Sequence, residues 1–199
     1  MFLHNDKKRF VAVISEAFDA TSIPEAMIEK DYFVTMFLKH LAEKEPLLVF
    51  KGGMSFEMFQ TDQTFLRGYR HKSLRNGTTV AQTQERDKYN IVETIERLEL
   101  DLSNPEEVRS GRDHNIYKVS YPSMFKSQSL KQHLEVESYF LIGSFPAANM
   151  SVTSFIYDHL KERGLDDIVA KYDLGPSKFA SRHWNERSST RYSPCAIIT

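Results

Sequence analysis

The chain has 199 residues, with 26 lysines and arginines against 27 aspartates and glutamates and a formal net charge of −1. This length suits one domain with a substantial core, and the balanced charge excludes the global basic field that non-specific nucleic-acid binding needs. The single cysteine, Cys195, excludes an intrachain disulfide and a cysteine-based zinc site. No apolar run reaches the length of a signal peptide or membrane span, so we expect a soluble, cytoplasmic protein with no membrane partner.

Two N-terminal segments carry apolar residues at helical spacing, which predicts two amphipathic helices. The first covers Lys7 to Ala20, and the second runs from Pro24 to about Glu43. Three consecutive charged residues lie within the second helix, where we expect them to form a solvated polar face: Glu29, Lys30 and Asp31.

The next segment, Leu47 to Ser55, reads as a strand that runs into a pair of glycines. Four apolar residues, Leu47 to Phe50, predict a strand covered on both faces. Gly52 and Gly53 let the backbone approach a ligand that a Cβ would block, and exposed N–H groups at such a turn form an anion site. The alternatives are a phosphate-binding turn and an ordinary connection from strand to helix.

From Gln60 to Thr83 the sequence has neither strand nor helix periodicity. Aromatic and basic residues are interleaved there, namely Phe65, Arg67, Tyr69, Arg70, His71, Lys72 and Arg75. Because such a mixture pairs phosphates and stacks bases, one interpretation of this stretch is an RNA-binding loop.

Periodicity returns in the second half of the chain. It predicts a helix over Glu85 to Leu98, strands over Asn115 to Tyr121 and Lys131 to Ile142, a helix from Val152 to Arg163 that Gly164 ends, and a short helical turn over Asp166 to Tyr172. Alternation places Glu135 and Glu137 on one face of the second strand. They either face solvent at a sheet edge or bind a cation. After Gly175 the periodicity is lost, which is typical of a disordered tail.

Several of these stretches together resemble the AbiEii/AbiGii family of nucleotidyltransferase toxins, which act in type IV toxin–antitoxin and abortive-infection systems of bacteria. The resemblance covers roughly residues 8 to 58 and 84 to 175. The segments that carry it are Ile28-Glu29-Lys30-Asp31-Tyr32-Phe33-Val34-Thr35, Leu48-Val49-Phe50-Lys51-Gly52-Gly53-Met54-Ser55, Ile91-Val92-Glu93-Thr94-Ile95, Arg112-Asp113-His114-Asn115, Leu134-Glu135-Val136-Glu137-Ser138, Ser144-Phe145-Pro146 and Ser154-Phe155-Ile156-Tyr157-Asp158.

The resemblance implies an α/β (α+β) fold, with a polymerase-β-type nucleotidyltransferase core of mixed sheet and flanking helices and a C-terminal helical region that is truncated here. It implies transfer of a nucleotide from NTP to RNA, with tRNA as the expected acceptor, Mg²⁺ as cofactor and a cognate antitoxin as protein partner. Gly52, Gly53 and Ser55 would hold the triphosphate, with Lys51 beside it. An acidic pair on the next strand and a third carboxylate, matched by Glu137, would bind two metal ions.

One departure from the family pattern decides what this chain can do. The acidic pair, of the form Glu-Asp-Ile-Asp, should fall at about Gly68 to His71, where the chain instead reads Arg67-Gly68-Tyr69-Arg70-His71-Lys72. Cationic residues therefore replace the carboxylates, and two of the three metal ligands are missing. We predict that Mg²⁺ binding and catalysis are close to absent.

A change of reading frame accounts for this departure. The codons CGA GGA TAT CGA CAT AAG encode the observed residues from Arg67 to Lys72, and one nucleotide later they read Glu-Asp-Ile-Asp-Ile. Codons for His183 to Ile198, read from their third nucleotide, give a sequence that resembles the next helix of the family. We therefore hypothesise that residues of about 59 to 80 and 176 to 199 are out of frame, and the underlying DNA tests this directly.

The expected organisation is thus a nucleotidyltransferase-like domain over residues 1–175, irregular over about 59–83, followed by an aberrant or disordered tail over 176–199. Three functions follow from it. The chain is a toxin-family nucleotidyltransferase by descent that is inactive as written, a non-catalytic remnant that only binds an antitoxin or another protein, or an RNA-binding module that uses Arg67, Tyr69, Arg70, His71 and Arg75.

Overall fold

A computed structural model describes residues 1–44, 48–51, 65–70, 80–108, 114–125, 133–139 and 148–181. The α-helices in these ranges are α1 (Lys7–Thr21), α2 (Glu25–Lys44), α3 (Val80–Arg97), α4 (Phe155–Glu162) and α5 (Asp166–Lys171). The strands are β1 (Leu48–Lys51), β2 (Phe65–Arg70), β3 (Asp101–Leu102), β4 (His114–Ser120), β5 (His133–Tyr139), β6 (Ala148–Val152) and β7 (Ser177–Ser181). Short 3₁₀ turns occupy Leu3–Asn5 and Pro105–Glu107.

Helix α1 forms where its apolar spacing predicts. Asp6 caps its start by accepting a hydrogen bond from the Arg9 N–H at 3.2 Å, and Ser22 ends it in the left-handed region at φ 58°. The face that packs into the core carries Phe10, Val13, Ile14 and Ala17. Phe18 has the same apolar character but lies 42% exposed, as the helical spacing turns it away from that face.

Helix α2 is the central element of the core, and it corrects one prediction. Every residue from Ile28 to Leu38 is buried, so the helix has neighbours on all sides rather than one polar face toward solvent. Glu29, Lys30 and Asp31 were expected at the surface, yet all three are buried. The carboxylates of Glu29 and Asp31 accept hydrogen bonds inside the protein.

The strands form one mixed sheet in the order β3-β4-β5-β2-β1-β7-β6. The β1–β7 and β2–β5 pairs are parallel, and the other four pairs are antiparallel. Since β5 lies between β4 and β2, Glu135 and Glu137 do not stand on an edge strand. This excludes the edge explanation for the two glutamates, because the edge strands of the described sheet are β3 and β6.

The two faces of the sheet differ in burial. On β4 and β5 one face carries Tyr117, Val119, Leu134 and Val136, all buried. Helix α3 packs on this face, since the Ser138 hydroxyl donates a 2.5 Å hydrogen bond to the Asp87 carboxylate of that helix. We call the opposite face the open face. The described side chains there are half-buried or exposed apart from Glu137, and they include His114, Ile116, Lys118, Glu135 and, on β7, Lys178.

The structure differs from the sequence predictions mainly at the two stretches expected to lack order. Strand β2 occupies Phe65–Arg70, within the region of about 59–83 that was predicted to be irregular, and α3 begins at Val80 rather than at Glu85. Strand β7 occupies Ser177–Ser181, which belonged to the expected disordered tail. Residues 182–199 of that tail lie outside the described residues.

The remaining predictions on the second half of the chain agree with the structure to within a few residues. Helix α4 begins after Ser154, whose hydroxyl accepts the Tyr157 N–H at 3.1 Å, and Gly164 follows its end at φ 69°. The observed fold is therefore a mixture of helices and strands, consistent with the α+β class. Among the described helices, none is long and apolar enough to cross a membrane.

Candidate functional site on the open face of the sheet

The sheet register brings two of the predicted site residues into one row. Lys51 on β1 pairs with Arg67 on β2, Arg67 pairs with Glu137 on β5, and Glu137 pairs with Ile116 on β4. Residues in register on adjacent strands share a face of the sheet. Two strand spacings of about 4.8 Å separate Lys51 from Glu137, so their backbones lie roughly 10 Å apart.

Lys51 is also the last residue of β1, directly before the glycine pair. Gly52, Gly53 and Ser55, the residues predicted to hold a triphosphate, lie outside the described residues. Lys51, the residue before the glycine pair, therefore lies in the same row as Glu137. Of the five predicted site residues, the structure places Lys51 and Glu137, and it places them across a single intervening strand.

Glu137 is 7% exposed in the middle of the sheet. Burying a carboxylate in this way is costly unless a cation or several hydrogen-bond donors compensate it. The register position beside it carries Arg67, a residue of opposite charge. Likewise, Lys118 of β4 stands opposite Glu135. Both glutamates thus have a basic residue in register on a neighbouring strand, an arrangement that stabilises an antiparallel or parallel pair without any metal ion.

The donor set of this row does not fit Mg²⁺. That ion takes oxygen ligands in octahedral geometry and is usually held through more than one carboxylate where two metals act together. The row supplies one carboxylate, Glu137, between Arg67 on one side and Ile116 on the other. Within the described part of the chain, no group of three His, Cys, Asp or Glu side chains could hold a metal ion.

A second row lies two residues further along the strands and is aromatic. Tyr69 on β2 pairs with Tyr139 on β5, and Tyr139 pairs with His114 on β4. Because alternate positions share a face, this row lies on the open face beside the row of Lys51, Arg67 and Glu137. Of the residues that suggested an RNA-binding loop, Arg67, Tyr69 and Arg70 belong to β2, and His71 and Arg75 lie outside the described residues.

Sequence reasoning missed the two buried carboxylates of α2. Glu29 is fully buried and accepts three hydrogen bonds from the turn after β4, from the Ser123 hydroxyl at 2.5 Å and from the N–H groups of Met124 and Phe125 at 2.7 and 3.4 Å. Burial raises the pKa of Glu29, while those hydrogen bonds act in the opposite direction. The carboxylate therefore fixes the connection that leaves β4.

The Asp31 carboxylate likewise holds the start of α4 by a hydrogen bond to a backbone N–H. Its Oδ2 accepts the N–H of Phe155, the first residue of α4, at 2.8 Å. Desolvation raises the pKa of Asp31 to about 7, and the neighbouring charge of Asp158 acts in the same direction. The signal in the sequence was the apolar run from Tyr32 to Leu38 that continues past the charged residues without a polar stripe, which is typical of a helix buried all round.

Comparison with known proteins gives no match for this chain, whether with protein-family models, with curated proteins or with solved structures.

Proposed function

We propose that the chain is a nucleotidyltransferase of the AbiEii/AbiGii toxin type by descent, and that it does not transfer nucleotides as written. The observation that carries the proposal is the row of Lys51, Arg67 and Glu137 across β1, β2 and β5. The resemblance calls for a glycine turn after one strand, an acidic pair on the next strand and a third carboxylate on a later strand. The pairing of β2 with both β1 and β5 supports that arrangement.

The residues at β2 account for the loss of activity. In the family an acidic pair at about Gly68 to His71 would bind Mg²⁺ together with Glu137, and this strand reads Phe65-Leu66-Arg67-Gly68-Tyr69-Arg70. The stretch Gly68-Tyr69-Arg70-His71 offers no carboxylate to a metal ion, and Arg67 and Arg70 add positive charge that repels one, so the charge of a leaving pyrophosphate would lack its metal. NTP, RNA and Mg²⁺ are therefore the ligands of the proposed ancestral reaction, and Mg²⁺ is the ligand whose binding residues this chain lacks.

The reading-frame hypothesis supports the same conclusion. The codons that would spell Glu-Asp-Ile-Asp in the shifted frame run from Arg67 to His71, so they overlap β2, the strand that pairs with both β1 and β5. A frame change over this segment would remove two metal ligands in one event. The DNA sequence tests this point, because codons whose shifted frames do not spell the motif contradict it.

The central experiment is a transfer assay with labelled NTPs, Mg²⁺ and a tRNA pool. We expect no incorporation by the chain as written. Robust incorporation that Glu137→Ala abolishes would show that the chain is an active enzyme and would overturn the proposed inactivity.

A restored variant tests descent separately from activity. The combined changes Gly68→Glu, Tyr69→Asp, Arg70→Ile and His71→Asp rebuild the acidic motif where the family pattern expects it, with position 69 on the same face of the sheet as Glu137, since Arg67 pairs with Glu137 and alternate strand positions share a face. We expect this variant to gain Mg²⁺ or Mn²⁺ binding in isothermal titration, and the further change Glu137→Ala to remove it. A restored strand that folds, as judged by circular dichroism, but binds no metal would contradict the family assignment.

The binding-only alternative has one observation in its favour. Val11 and Phe18 stand two turns apart on α1 and are 36% and 42% exposed. Such an apolar stripe on a helix suits contact with a protein such as an antitoxin. Under this alternative, Phe18→Ser weakens binding to a co-expressed antitoxin, whereas Glu137→Ala leaves it unchanged.

A further inference from the structure

Helix α1 carries a second apolar surface in addition to the one that packs into the core. Two of the large apolar side chains that are exposed in the described part of the chain lie on it, Val11 at 36% and Phe18 at 42% exposure. They stand seven residues apart, which is two helical turns or about 10.5 Å along the axis. The two side chains therefore share one side of the helix, away from the core.

We call this surface the α1 stripe, because its residues recur at the helical spacing of three and four. They are Lys8, Val11, Ala12, Ser15, Phe18 and Asp19. Ser15 is half-buried and the other five are exposed. The two residues in the middle, Ala12 and Ser15, are small, so a second helix can approach closely there. The Ser15 hydroxyl already donates a 2.5 Å hydrogen bond to Glu25, so it keeps a partner when the stripe is covered.

The two ends of the stripe carry opposite charge. Lys8 belongs to the cationic run Lys7-Lys8-Arg9 in the first turn of α1, and Asp19 lies in the last turn. Within the described part of the chain neither Lys8 nor Asp19 forms an ion pair. Glu16, by contrast, accepts a 2.6 Å hydrogen bond from Arg163 of α4. The stripe thus keeps one cation and one anion available to a partner, at opposite ends.

We infer that a second copy of this chain covers the α1 stripe, in a symmetric dimer whose two α1 helices pack antiparallel. Positions 14 and 15 flank the midpoint between Val11 and Phe18. The midpoint between Lys8 and Asp19 lies one residue nearer the N-terminus, or about 1.5 Å along the axis. One two-fold axis therefore brings the apolar residues of the two copies opposite each other and sets each charge opposite its counterion.

The charges select this direction of packing. A parallel pair of helices would place Lys8 against Lys8 and Asp19 against Asp19, and like charges in contact are destabilising. The charge order is also unfavourable within α1 itself, because the positive end of a helix dipole lies at its N-terminus. An antiparallel second copy offsets both costs, since it supplies an anion near each cationic end.

The extent of the contact sets its strength. Helix α1 has 15 residues. At 1.5 Å per residue its length is roughly 22 Å. One side of such a helix buries less than the roughly 800 Å² per partner of a standard stable interface, so we expect a weak, reversible dimer with a Kd on the order of 100 µM. The inference goes beyond the proposed function, because it involves neither the sheet nor nucleotide transfer.

The test is sedimentation equilibrium of the unmodified chain at protein concentrations on both sides of that Kd. We expect the average mass to rise from monomer toward dimer, and the Kd to increase with salt, because salt screens exposed charge pairs. A monomer at every concentration would overturn the inference, and it would leave the stripe to a different protein. Open-ended assembly would overturn it as well, since a two-fold contact closes at two copies.

A matched pair of aromatic variants locates the contact. Phe18→Ala should raise the Kd about 10-fold or more, because each substitution acts twice in a symmetric dimer. Tyr89→Ala is the control, since it removes an aromatic side chain that is 66% exposed on α3. Its Kd should equal that of the unmodified chain. Equal changes in the two variants would show that the dimer uses another surface.

Charge reversal tests the antiparallel direction. Lys8→Glu alone and Asp19→Lys alone each set like charges opposite each other and should raise the Kd about 3-fold or more. The two variants mixed should associate more tightly than either alone, because every contact in the mixed dimer joins opposite charges. Both reversals favour α1 through its dipole, so lost association does not reflect an unfolded helix.

Lys88→Glu, at an exposed position of α3, is the control for the charge reversals and should leave the Kd unchanged. A mixture that associates no more tightly than its separate components would overturn the inference. So would a Kd for Lys8→Glu equal to that of the unmodified chain, which is the result that a parallel pair gives. None of these measurements involves nucleotide transfer, so failure of this inference is distinguishable from failure of the proposed function.

Discussion

Asp31 shows how a single buried group controls stability in this protein. Asp31 is 6% exposed, and its Oδ2 accepts a hydrogen bond from the Phe155 N–H at the start of α4. Desolvation raises the pKa of this carboxyl to about 7 in the folded chain, against about 3.9 for an unfolded aspartate. The folded state therefore holds a proton that the unfolded state releases between these two values.

The sign of the pH dependence follows from this difference. The stability contributed by protonated Asp31 is complete below about pH 4 and is lost as the pH rises through about 7. Asp31→Asn keeps an oxygen acceptor for Phe155 and removes the titration. We expect the free energy of unfolding of this variant, relative to the unmodified chain, to rise by roughly 3 kcal/mol from pH 5 to pH 8, since one pKa unit corresponds to 1.36 kcal/mol.

Urea unfolding at both pH values measures this difference. Asp19→Asn, at an exposed position of α1, serves as the control and should show no comparable change between the two values. A difference between Asp31→Asn and the unmodified chain that stays constant with pH would contradict the prediction.

Glu137 and Glu29 show which properties of a single residue this sequence predicts and which it does not. Strand alternation correctly placed Glu135 and Glu137 on one face, because the period of two is a local property of the backbone. It did not show that β5 is an inner strand with Arg67 and Lys118 in register beside the two glutamates. Glu29 was assigned to the surface because its partners, Ser123 to Phe125, lie more than 90 residues away.

The turn after α4 is an element whose conformation the sequence predicts. Gly164 follows the helix at φ 69°, in the left-handed region that favours glycine, and nothing lies within 4 Å of the position that a Cβ would take. Gly164→Ala therefore adds backbone strain alone, and we expect it to lower the free energy of unfolding by about 1 kcal/mol.

Gly175→Ala is the matched control for this prediction. That position also has open space around a Cβ, and it is not among the described glycines with positive φ. We expect chemical denaturation to show a loss for Gly164→Ala and little change or a small gain for Gly175→Ala. Equal losses in the two variants would show that strain at Gly164 is not the cause.

The N-terminal 3₁₀ turn, Leu3–Asn5, is held to the core by His4. The Nδ1 atom lies 2.9 Å from the Tyr32 hydroxyl, and Nε2 lies 3.1 Å from the Leu98 carbonyl oxygen. Burial lowers the pKa of His4, and the hydrogen bond to Leu98 and the charge of Glu99 act in the opposite direction. Neutral His4 thus joins the chain start to α2 and to the end of α3.

Acid should weaken this attachment. Because the folded-state pKa of His4 lies below its ordinary value, the stability it contributes is present above about pH 6.5 and is lost as the pH falls through the lower folded-state pKa. His4→Gln removes the titration and keeps polar atoms for both partners. From pH 7.5 to pH 5, we expect Tm to fall further in the unmodified chain than in the variant, and parallel Tm curves would contradict this.

Among the elements, those with a clear amphipathic period were predictable and the short strands were not. Strands β2 and β7 have no alternation of apolar and polar residues, and β3 spans two residues. They form because neighbours in the sheet supply their backbone partners, β1 and β5 for β2, and β1 and β6 for β7. Such partners come from distant parts of the chain, so no local pattern reports them.

At the scale of the whole molecule, the buried titratable groups contribute to the pH dependence of stability with opposite signs. Burial also lowers the pKa of His40, as it does for His4, so both histidines favour the fold above the ordinary histidine range, whereas Asp31 favours it at acid pH. The pH dependence of the unmodified chain therefore combines opposite contributions, and each is isolated by comparing the unmodified chain with the variant that lacks the group.

The sequence by itself determined the local periodicities of this protein: the amphipathic helix α1, the helices α3 and α4, the strands β4 and β5, the shared face of the two glutamates and the glycine stop at Gly164. Only the tertiary structure decided that α2 buries Glu29 and Asp31 and that β2 and β7 enter the sheet. It alone also decided that Lys51, Arg67 and Glu137 form one row. The physical reason is that periodicity reflects the geometry of a few consecutive residues, whereas burial and strand register depend on contacts between segments far apart in the chain.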